Sequence, residues 1–335
     1  MNRPHFASVQ DYGRRFNDAV LWQPYVQAVC KRHGLDLTGG IRSAVPGTHP
    51  VFLIGDRWVV KFFSDMFNGA RSFAVEREIY GMLPWTAGFD PPGARLVGEG
   101  TLFPPEDGWE WPYLISTQMQ GQSLHEVYNE VSFSDRLAIS RSLGERMRQL
   151  HSVPLDRCRV LRPDWAPFRD WLSNQRATCV ANHRRWMSLP DRLIDQLDDY
   201  ILDVDALIDE NEGPLLLHAD LNADHLLGRL HNGRWSSTGI IDFGDARVGP
   251  LDYELVALHF GMFRCDTRLL RACLQAYGSD ADLEAGFATR AMSFTLLHEF
   301  NVLAEIEVGG NQQPANVANL SELASKLWLP GATPS

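Results

Sequence analysis

Two short apolar stretches, each leading into an aspartate, constrain the fold of this chain more than any other feature of its sequence. PLLLHADL (residues 214–221) carries Asp220, and STGIIDFG (residues 237–244) carries Asp242. Short apolar runs bounded by turn residues are typical of buried strands. We therefore predict that the two carboxylates lie at one edge of a sheet. There one could accept a hydrogen bond from a hydroxyl group and the other could hold Mg²⁺.

The first 120 residues have the pattern of a small sheet with an inserted helix. PVFLIGDRWVVKFF (residues 50–63) predicts a hairpin that turns at Gly55-Asp56, and ARLVGEGTLF and WPYLISTQMQG predict two further strands. Periodic apolar residues predict helices over 16–34 and over 70–85, the second stopped by Pro84.

Beyond Gly121 the pattern is mainly helical. It predicts a helix that opens at Ser134, a second long helical stretch over about 190–210, and a helical tail from Pro250 onward. We therefore predict an α+β fold with two lobes, a β-rich N-lobe of residues 1–120 and a mostly helical C-lobe of residues 121–335.

Charge and cysteine content narrow the possible partners and compartments. The chain has 42 acidic and 31 basic residues, a net charge of −11, which disfavours binding to nucleic acid. A cationic ligand would suit it, although an acidic surface also serves solubility alone. The five scattered cysteines form no C-x-x-C pair and predict reduced thiols in the cytoplasm. The sequence contains no run of 18 apolar residues, so we expect no membrane-spanning helix.

Lys61 ends the apolar strand WVVKFF, and a buried ammonium group needs an anionic partner. Glu76 and Glu78 follow on the next predicted helix. We predict Glu78 as the partner and expect Glu76 on the solvated face of the helix. The alternative is a lysine at the edge of a strand with its head in water.

The ordered motifs of the chain resemble those of the aminoglycoside phosphotransferases, a family with the two-lobed protein-kinase-like fold. The set comprises Lys61, Glu78, His218-x-Asp220 and Asp242-Phe243-Gly244. The resemblance covers roughly residues 20–330 and is strongest toward the branch that phosphorylates hygromycin B. Three stretches outside the phosphate chemistry carry that likeness, namely FRDWLSNQRATCVANHRRW, LDDYILDVDALI and FTLLHEFNVLAEIEV.

The resemblance implies phosphoryl transfer from ATP or GTP, with Mg²⁺ as the metal. Asp220 would orient or deprotonate the acceptor hydroxyl, His218 would hold the catalytic loop, and Asp242 would bind the metal. Lys61, paired with Glu78, would hold the nucleotide's phosphates under residues 43–49. The stretch LISTQMQG would link the two lobes, and its Thr117 carbonyl and Met119 amide would contact the edge of the adenine. The side chains of Val59, Leu227 and Ile241 would contact the adenine ring.

His225 stands where the family has a metal-binding Asn, five positions after Asp220. Imidazole suits softer metals than Mg²⁺, so three interpretations stay open. His225 could bind the metal directly and favour Mn²⁺, or it could bond to a metal-bound water or a phosphate oxygen. The third interpretation is a decayed site in a pseudokinase.

Recognition of a cationic acceptor would require carboxylates in the C-lobe. The candidates in the 190–210 stretch are Asp195, Asp198, Asp199, Asp203 and Asp205, and those in the tail are Glu299 and Glu305. Each could instead face water. Trp165, Phe168 and Trp171 could line a sugar site, but we favour a place in the core.

We predict that the chain is a monomeric kinase that phosphorylates an aminoglycoside and thereby confers resistance. Hygromycin B is the first candidate for the acceptor. A peptide antibiotic or a choline-like metabolite is the alternative acceptor.

Overall fold

The computed structural model describes residues 2–45, 47–82, 94–156, 158–279, 285–306 and 313–330. The chain forms two compact units, each described here by itself. The first comprises Met1–Gly121 together with Thr238–Asp245, and the second comprises Gln122–Ser237 together with Ala246–Ser335. The first unit therefore includes residues 238–245, which the division by sequence assigned to the C-lobe.

The first unit is built on an antiparallel sheet. Its strands are β1 (Ile41–Ser43), β2 (Val51–Ile54), β3 (Trp58–Phe62), β4 (Leu96–Thr101) and β5 (Pro112–Thr117). Its helices are α1 (Val9–Arg15), α2 (Ala19–His33) and α3 (Gly69–Met82). The strand order is β1-β2-β3-β5-β4. The predicted hairpin is confirmed as β2 and β3, with Gly55 in the left-handed conformation at φ 54°. The predicted stop at Pro84 lies outside the described residues.

The two faces of this sheet have different partners because side chains alternate along a strand. Val60 and Phe62 of β3 point to one face and are fully buried in a core that includes Trp22 of α2. The Trp22 and Phe62 rings stack with centroids 4.8 Å apart. The intervening residues of β3, Val59 and Lys61, must therefore point to the opposite face.

The second unit is mainly helical. Its longer helices are α5 (Phe133–His151), α6 (Trp165–Trp186), α9 (Leu251–Ala257), α10 (Thr267–Tyr277), α11 (Ala285–Leu296) and α12 (Leu320–Trp328). Single-turn helices are α4 (Leu124–Val127), α7 (Asp191–Ile194) and α8 (Leu197–Tyr200). Its strands are β6 (Gln122–Ser123), β7 (Leu215–Leu217), β8 (Leu226–His231), β9 (Arg234–Ile240, whose last three residues belong to the first unit) and β10 (Arg247–Gly249). A π-helical turn (Leu258–Met262) follows α9. No helix in the described ranges is long and apolar enough to cross a bilayer.

The prediction of one long helix over 190–210 is wrong. The chain forms α7 and α8 there, and Ile201 and Asp203 have extended backbones. Leu193, Leu197 and Ile201 are all buried, so the spacing of apolar residues is helical although the backbone is interrupted. The long helix of this region is α6, which the sequence pattern did not indicate.

Close packing of α5 against α10 gives the first testable prediction. A Cβ atom at Gly144 would lie 2.1 Å from the carbonyl oxygen of Cys273 and 2.9 Å from the amide nitrogen of Tyr277. Backbone atoms cannot move aside cheaply, so Gly144→Ala is expected to lower the free energy of unfolding by about 3 kcal/mol. Urea titration measures the loss. Gly13→Ala is the control, because Gly13 lies in α1 with open space around it. An equal effect of the two changes would contradict the prediction.

Candidate active site

A buried ion cluster surrounds Lys61 on β3 of the first unit. Lys61 is 8% exposed, and its Nζ donates to Glu76 Oε2 at 2.6 Å and to Asp242 Oδ1 at 2.7 Å. Burial acts to lower the pKa of Lys61, but the charges of Asp242 and Glu76 outweigh it and raise the pKa above its ordinary value. Lys61 therefore keeps its positive charge although it is buried, as a group that attracts phosphates must.

The prediction that Glu78 pairs with Lys61 is wrong, and Glu76 takes that place. Glu76 is 2% exposed, between the buried side chains of Val75 and Ile79 on α3, and its Oε1 accepts from the Tyr80 hydroxyl at 3.0 Å. Glu78 is half-buried. Two residues along a helix correspond to about 200° of rotation, so Glu78 points away from the stripe that faces the sheet.

Asp242 follows β9 with φ 65°, a left-handed conformation that aspartate tolerates better than most residues. Its side chain is 37% exposed although one oxygen bonds to Lys61. A half-exposed carboxylate has the hard oxygen donors that Mg²⁺ prefers, so Asp242 fits the predicted metal role. Within the described residues no three His, Cys, Asp or Glu side chains cluster as a ready-made metal site.

Residues of the 43–49 segment are hydrogen-bonded to α1 and to the turn between α1 and α2, which no sequence pattern indicated. The Tyr12 hydroxyl donates to the Thr48 carbonyl at 2.8 Å, and the Asn17 amide donates to the Ala44 carbonyl at 2.8 Å. Pro46 lies outside the described residues. His49 is buried, and burial, with the charge of Lys61 second, lowers its pKa to about 3, so it stays neutral.

The apolar side chains at the positions predicted to contact adenine are partly accessible. Val59, Met119 and Ile241 of the first unit and Leu227 of the second are half-buried. Thr117 ends β5 opposite Trp58. A Cβ at Gly239 would lie 1.8 Å from the Met119 methyl carbon, so the Met119 side chain occupies the space that this glycine leaves. Binding of adenine by these residues stays a prediction.

The loop between β7 and β8 in the second unit holds Asp220 by bonds within the loop. The Asn222 amide donates to Asp220 Oδ1 at 3.2 Å, and His225 Nδ1 lies 2.6 Å from the Asp220 carbonyl oxygen. A carbonyl only accepts, so Nδ1 of His225 carries a proton. Of the two ring nitrogens, Nε2 is therefore the one that could meet a metal or its water. The rings of His218 and His225 stack with centroids 5.6 Å apart.

Glu254 of α9 anchors this loop, and the sequence analysis missed it. Ala219 has φ 67°, and its amide donates to Glu254 Oε2 at 2.9 Å. Glu254 is fully buried, and burial raises its pKa to about 7 against the opposing effect of the Ala219 and His218 amides. The contact joins residues 35 positions apart, and no local pattern around Glu254 indicates it.

The raised pKa of Glu254 gives a prediction on pH. Between pH 4.5 and about 7 the folded protein binds a proton that the unfolded chain releases, so this group adds stability as the pH falls. Relative to Glu254→Gln, which cannot titrate, the wild type is expected to gain up to about 3 kcal/mol from pH 8 to pH 5. Urea unfolding of both proteins across this range measures the difference. A difference independent of pH would contradict the assignment.

The carboxylates predicted to bind the substrate are exposed, but three of them already have a cationic partner. Asp198 Oδ1 lies 3.9 Å from Arg176 Nη2, and Asp205 accepts from Arg169. Glu299 accepts a short hydrogen bond from Arg247, whose guanidinium lies 4.0 Å from the centroid of the Trp171 ring. The other predicted positions also face the surface: Asp195, Asp199, Asp203 and Glu305. Phe168 is buried against Tyr253, 5.6 Å between ring centroids, which confirms its predicted place in the core.

Sequence comparison places most of the chain within one family model. The model described as the phosphotransferase enzyme family matches residues 43–292. Among curated proteins the chain is similar to the lysine-specific demethylase JMJ21 of Arabidopsis thaliana, with 24% identity over 251 residues. That match covers 58% of this chain and 26% of the demethylase, so the chain spans about a quarter of the relative's length.

Solved structures are similar over most of the chain. The GDP complex of wild-type aminoglycoside 2′-phosphotransferase-IIIa has a TM-score of 0.61 at 20% identity, covering 84% of this chain and 95% of that one. The streptomycin–ATP–APH(2″)-IIa ternary complex has a TM-score of 0.56 at 19% identity, covering 84% and 93%. At these identities the likeness establishes the fold, and it confirms the predicted fold class.

Proposed function

This chain belongs to the phosphotransferase enzyme family, and from that premise we propose that it transfers the γ-phosphoryl group of ATP or GTP to a hydroxyl group of an aminoglycoside, hygromycin B first. The resemblance recognised in the motifs is confirmed for family and fold. The observation that carries the proposal is the buried Lys61, paired with Glu76 and with a half-exposed Asp242.

The proposed reaction divides its work between two sets of residues. In the first unit, Lys61 attracts the phosphates, and Glu76 keeps its ammonium charged and oriented. Asp242, whose carboxylate is partly exposed, would hold Mg²⁺, which would supply neutralisation of phosphate charge. In the second unit, Asp220 accepts the proton of the acceptor hydroxyl while the oxygen of that hydroxyl forms a bond to the γ-phosphorus. The bond from the γ-phosphorus to the bridging oxygen breaks, and the nucleoside diphosphate leaves.

The proposed substrate surface is a region of the second unit where three stretches meet. These are the stretches that resemble the hygromycin B branch, and their contacts tie them together. Gln175 of α6 bonds to the Leu297 carbonyl, and Arg176 of α6 bonds to the carbonyls of Leu197 and Asp198. Exposed carboxylates on this surface suit a polycationic acceptor. Because Glu299 is paired with Arg247 and Asp198 with Arg176, we assign the larger part of ammonium binding to Asp195, Asp199 and Glu305.

Antibiotic protection tests the proposal directly. Bacteria that express the chain, or its Asp220→Ala variant, would be exposed to aminoglycosides and to peptide antibiotics. Protection against hygromycin B that disappears in the variant is the expected result. ³¹P NMR of the product from purified protein, ATP or GTP, and hygromycin B would identify the new phosphate ester.

Other outcomes would overturn parts of the proposal. Protection against a different drug would replace hygromycin B but keep the reaction. Phosphorylation of choline or another amino alcohol, without protection, would indicate a metabolite kinase. Nucleotide binding without transfer to any acceptor would reject the enzyme and favour a pseudokinase.

A further inference from the structure

We propose that Asn222 is a positioning residue for the Asp220 carboxylate, and that Gly261, in the π-helical turn after α9, fixes the position of Asn222. The inference rests on the proposed function, because it assigns Asp220 to the acceptor hydroxyl. All of the contacts that support it lie within the second unit.

Two hydrogen bonds set the orientation of the Asn222 amide. Its Oδ1 accepts the Asp224 amide proton at 2.9 Å, so the amino group must point the other way. There its Nδ2 donates to Asp220 Oδ1 at 3.2 Å. A donor fixed in this way favours one rotamer of the carboxylate, whose Oδ2 lies 3.7 Å from His225 Nδ1.

Gly261 controls how closely the loop approaches the π-helical turn. A Cβ at Gly261 would lie 2.6 Å from Asn222 Cβ, shorter than real contacts allow. The Gly261 carbonyl also accepts the Ala223 amide proton at 3.3 Å, while the Ala223 carbonyl accepts from the His125 amide at 3.1 Å. The backbone beside Asn222 is therefore fixed from both sides.

The turn that presents Gly261 is strained. Leu258–Met262 is π-helical, and Arg264 and Cys265 follow with φ 49° and 59°. Left-handed conformations at two consecutive residues other than glycine are costly and persist only where the surroundings enforce them. Arg264 is held by Tyr128, with its guanidinium 3.8 Å from the ring centroid. Such turns occur frequently at functional sites, in keeping with a positioning role.

Loss of this support should affect the chemical step more than binding. Asp220 must meet the acceptor hydroxyl in one orientation, and a carboxylate free to rotate spends less time in it. Most of the residues proposed to bind the nucleotide belong to the first unit, and the changes leave all of the proposed nucleotide contacts intact. A lower kcat with an unchanged KM for the nucleotide is therefore the signature of the positioning role.

The test uses Asn222→Ala, Asn222→Asp, Gly261→Ala and the double variant Asn222→Ala/Gly261→Ala. Each single change is expected to lower kcat by about 10-fold to 10²-fold, as for a hydrogen bond to a charged group, with the nucleotide KM within about twofold of wild type. Asn222→Asp keeps the side-chain shape and the acceptor oxygen for the Asp224 amide but replaces the donor by a carboxylate oxygen that repels Asp220, so a folded variant with lower kcat separates loss of the bond from misfolding. The double variant keeps the clash with the Cβ of residue 222 but lacks the amide, so its loss in kcat is expected to be smaller than the product of the two single losses.

Three results would overturn the inference. These are an unchanged kcat in Asn222→Asp, effects that multiply in the double variant, or equal losses in kcat and in nucleotide affinity. These results can be distinguished from a failure of the proposed function by the activity of the wild-type protein. A wild-type protein that transfers phosphate to no acceptor would reject that function and the inference with it, whereas an active wild type with unaffected variants rejects the inference alone.

Discussion

Replacement of Asp220 by asparagine is expected to lower kcat by about 10²-fold to 10⁴-fold, the range typical of loss of a positioned proton acceptor. Asparagine keeps the shape of the side chain and can accept the hydrogen bond that Asn222 donates to Oδ1. It cannot take the proton of the acceptor hydroxyl. Because the nucleotide-binding residues of the first unit are unchanged, the KM for ATP is expected to stay within about threefold of wild type.

Steady-state kinetics with saturating acceptor measures the effect. Asp191→Asn is a matched control, since Asp191 is an exposed aspartate of the same unit, at the start of α7. The control is expected to keep its activity. An Asp220→Asn enzyme with more than half of the wild-type kcat would remove Asp220 from the mechanism.

Glu76→Gln is expected to lower kcat/KM for the nucleotide by about 10²-fold, whereas Glu78→Gln is expected to leave it within about twofold. Glu76 is buried with its Oε2 2.6 Å from Lys61 Nζ, so the change removes a charge-assisted hydrogen bond in a dry environment. Lys61 then has Asp242 as its remaining carboxylate partner in the cluster and should be drawn toward it. The ammonium group would be misplaced for the phosphates.

The two glutamates form a comparison within one helix, because they differ by two positions and receive the same substitution. Kinetics at varied ATP concentration, with thermal unfolding to check the fold, measures both. Equal losses in the two variants would show that the Lys61 partner does not decide catalysis. A loss confined to Glu78→Gln would restore the assignment made from the sequence.

The elements that carry the predicted chemistry could be located from the sequence because their apolar patterns are local. The β2–β3 hairpin, Lys61 at the end of its strand, and the two aspartates after apolar strands all follow from alternation and turn residues. The choice between Glu76 and Glu78 was also within reach. Val75 and Ile79 flank Glu76, so helical periodicity places that carboxylate on the buried stripe.

Other features depend on tertiary contacts that no local pattern encodes. Glu254 reaches the Ala219 amide across 35 positions, and Gly261 approaches Asn222 through an irregular turn. The interrupted helix at α7 and α8 misled the prediction because buried residues kept helical spacing through the breaks. The backbone followed tertiary packing there, which often overrides local preference.

The order in which the polypeptide emerges during translation determines when the Lys61 cluster can form. Asp242 is 181 positions from Lys61, although both belong to the first unit. A nascent chain that has exposed only residues 1–121 has Glu76 but not Asp242 to neutralise the ammonium in that cluster. The cluster is therefore expected to be complete only after most of the second unit has left the ribosome, and a fragment cut at residue 121 would lack one of the two carboxylates that bond to Lys61.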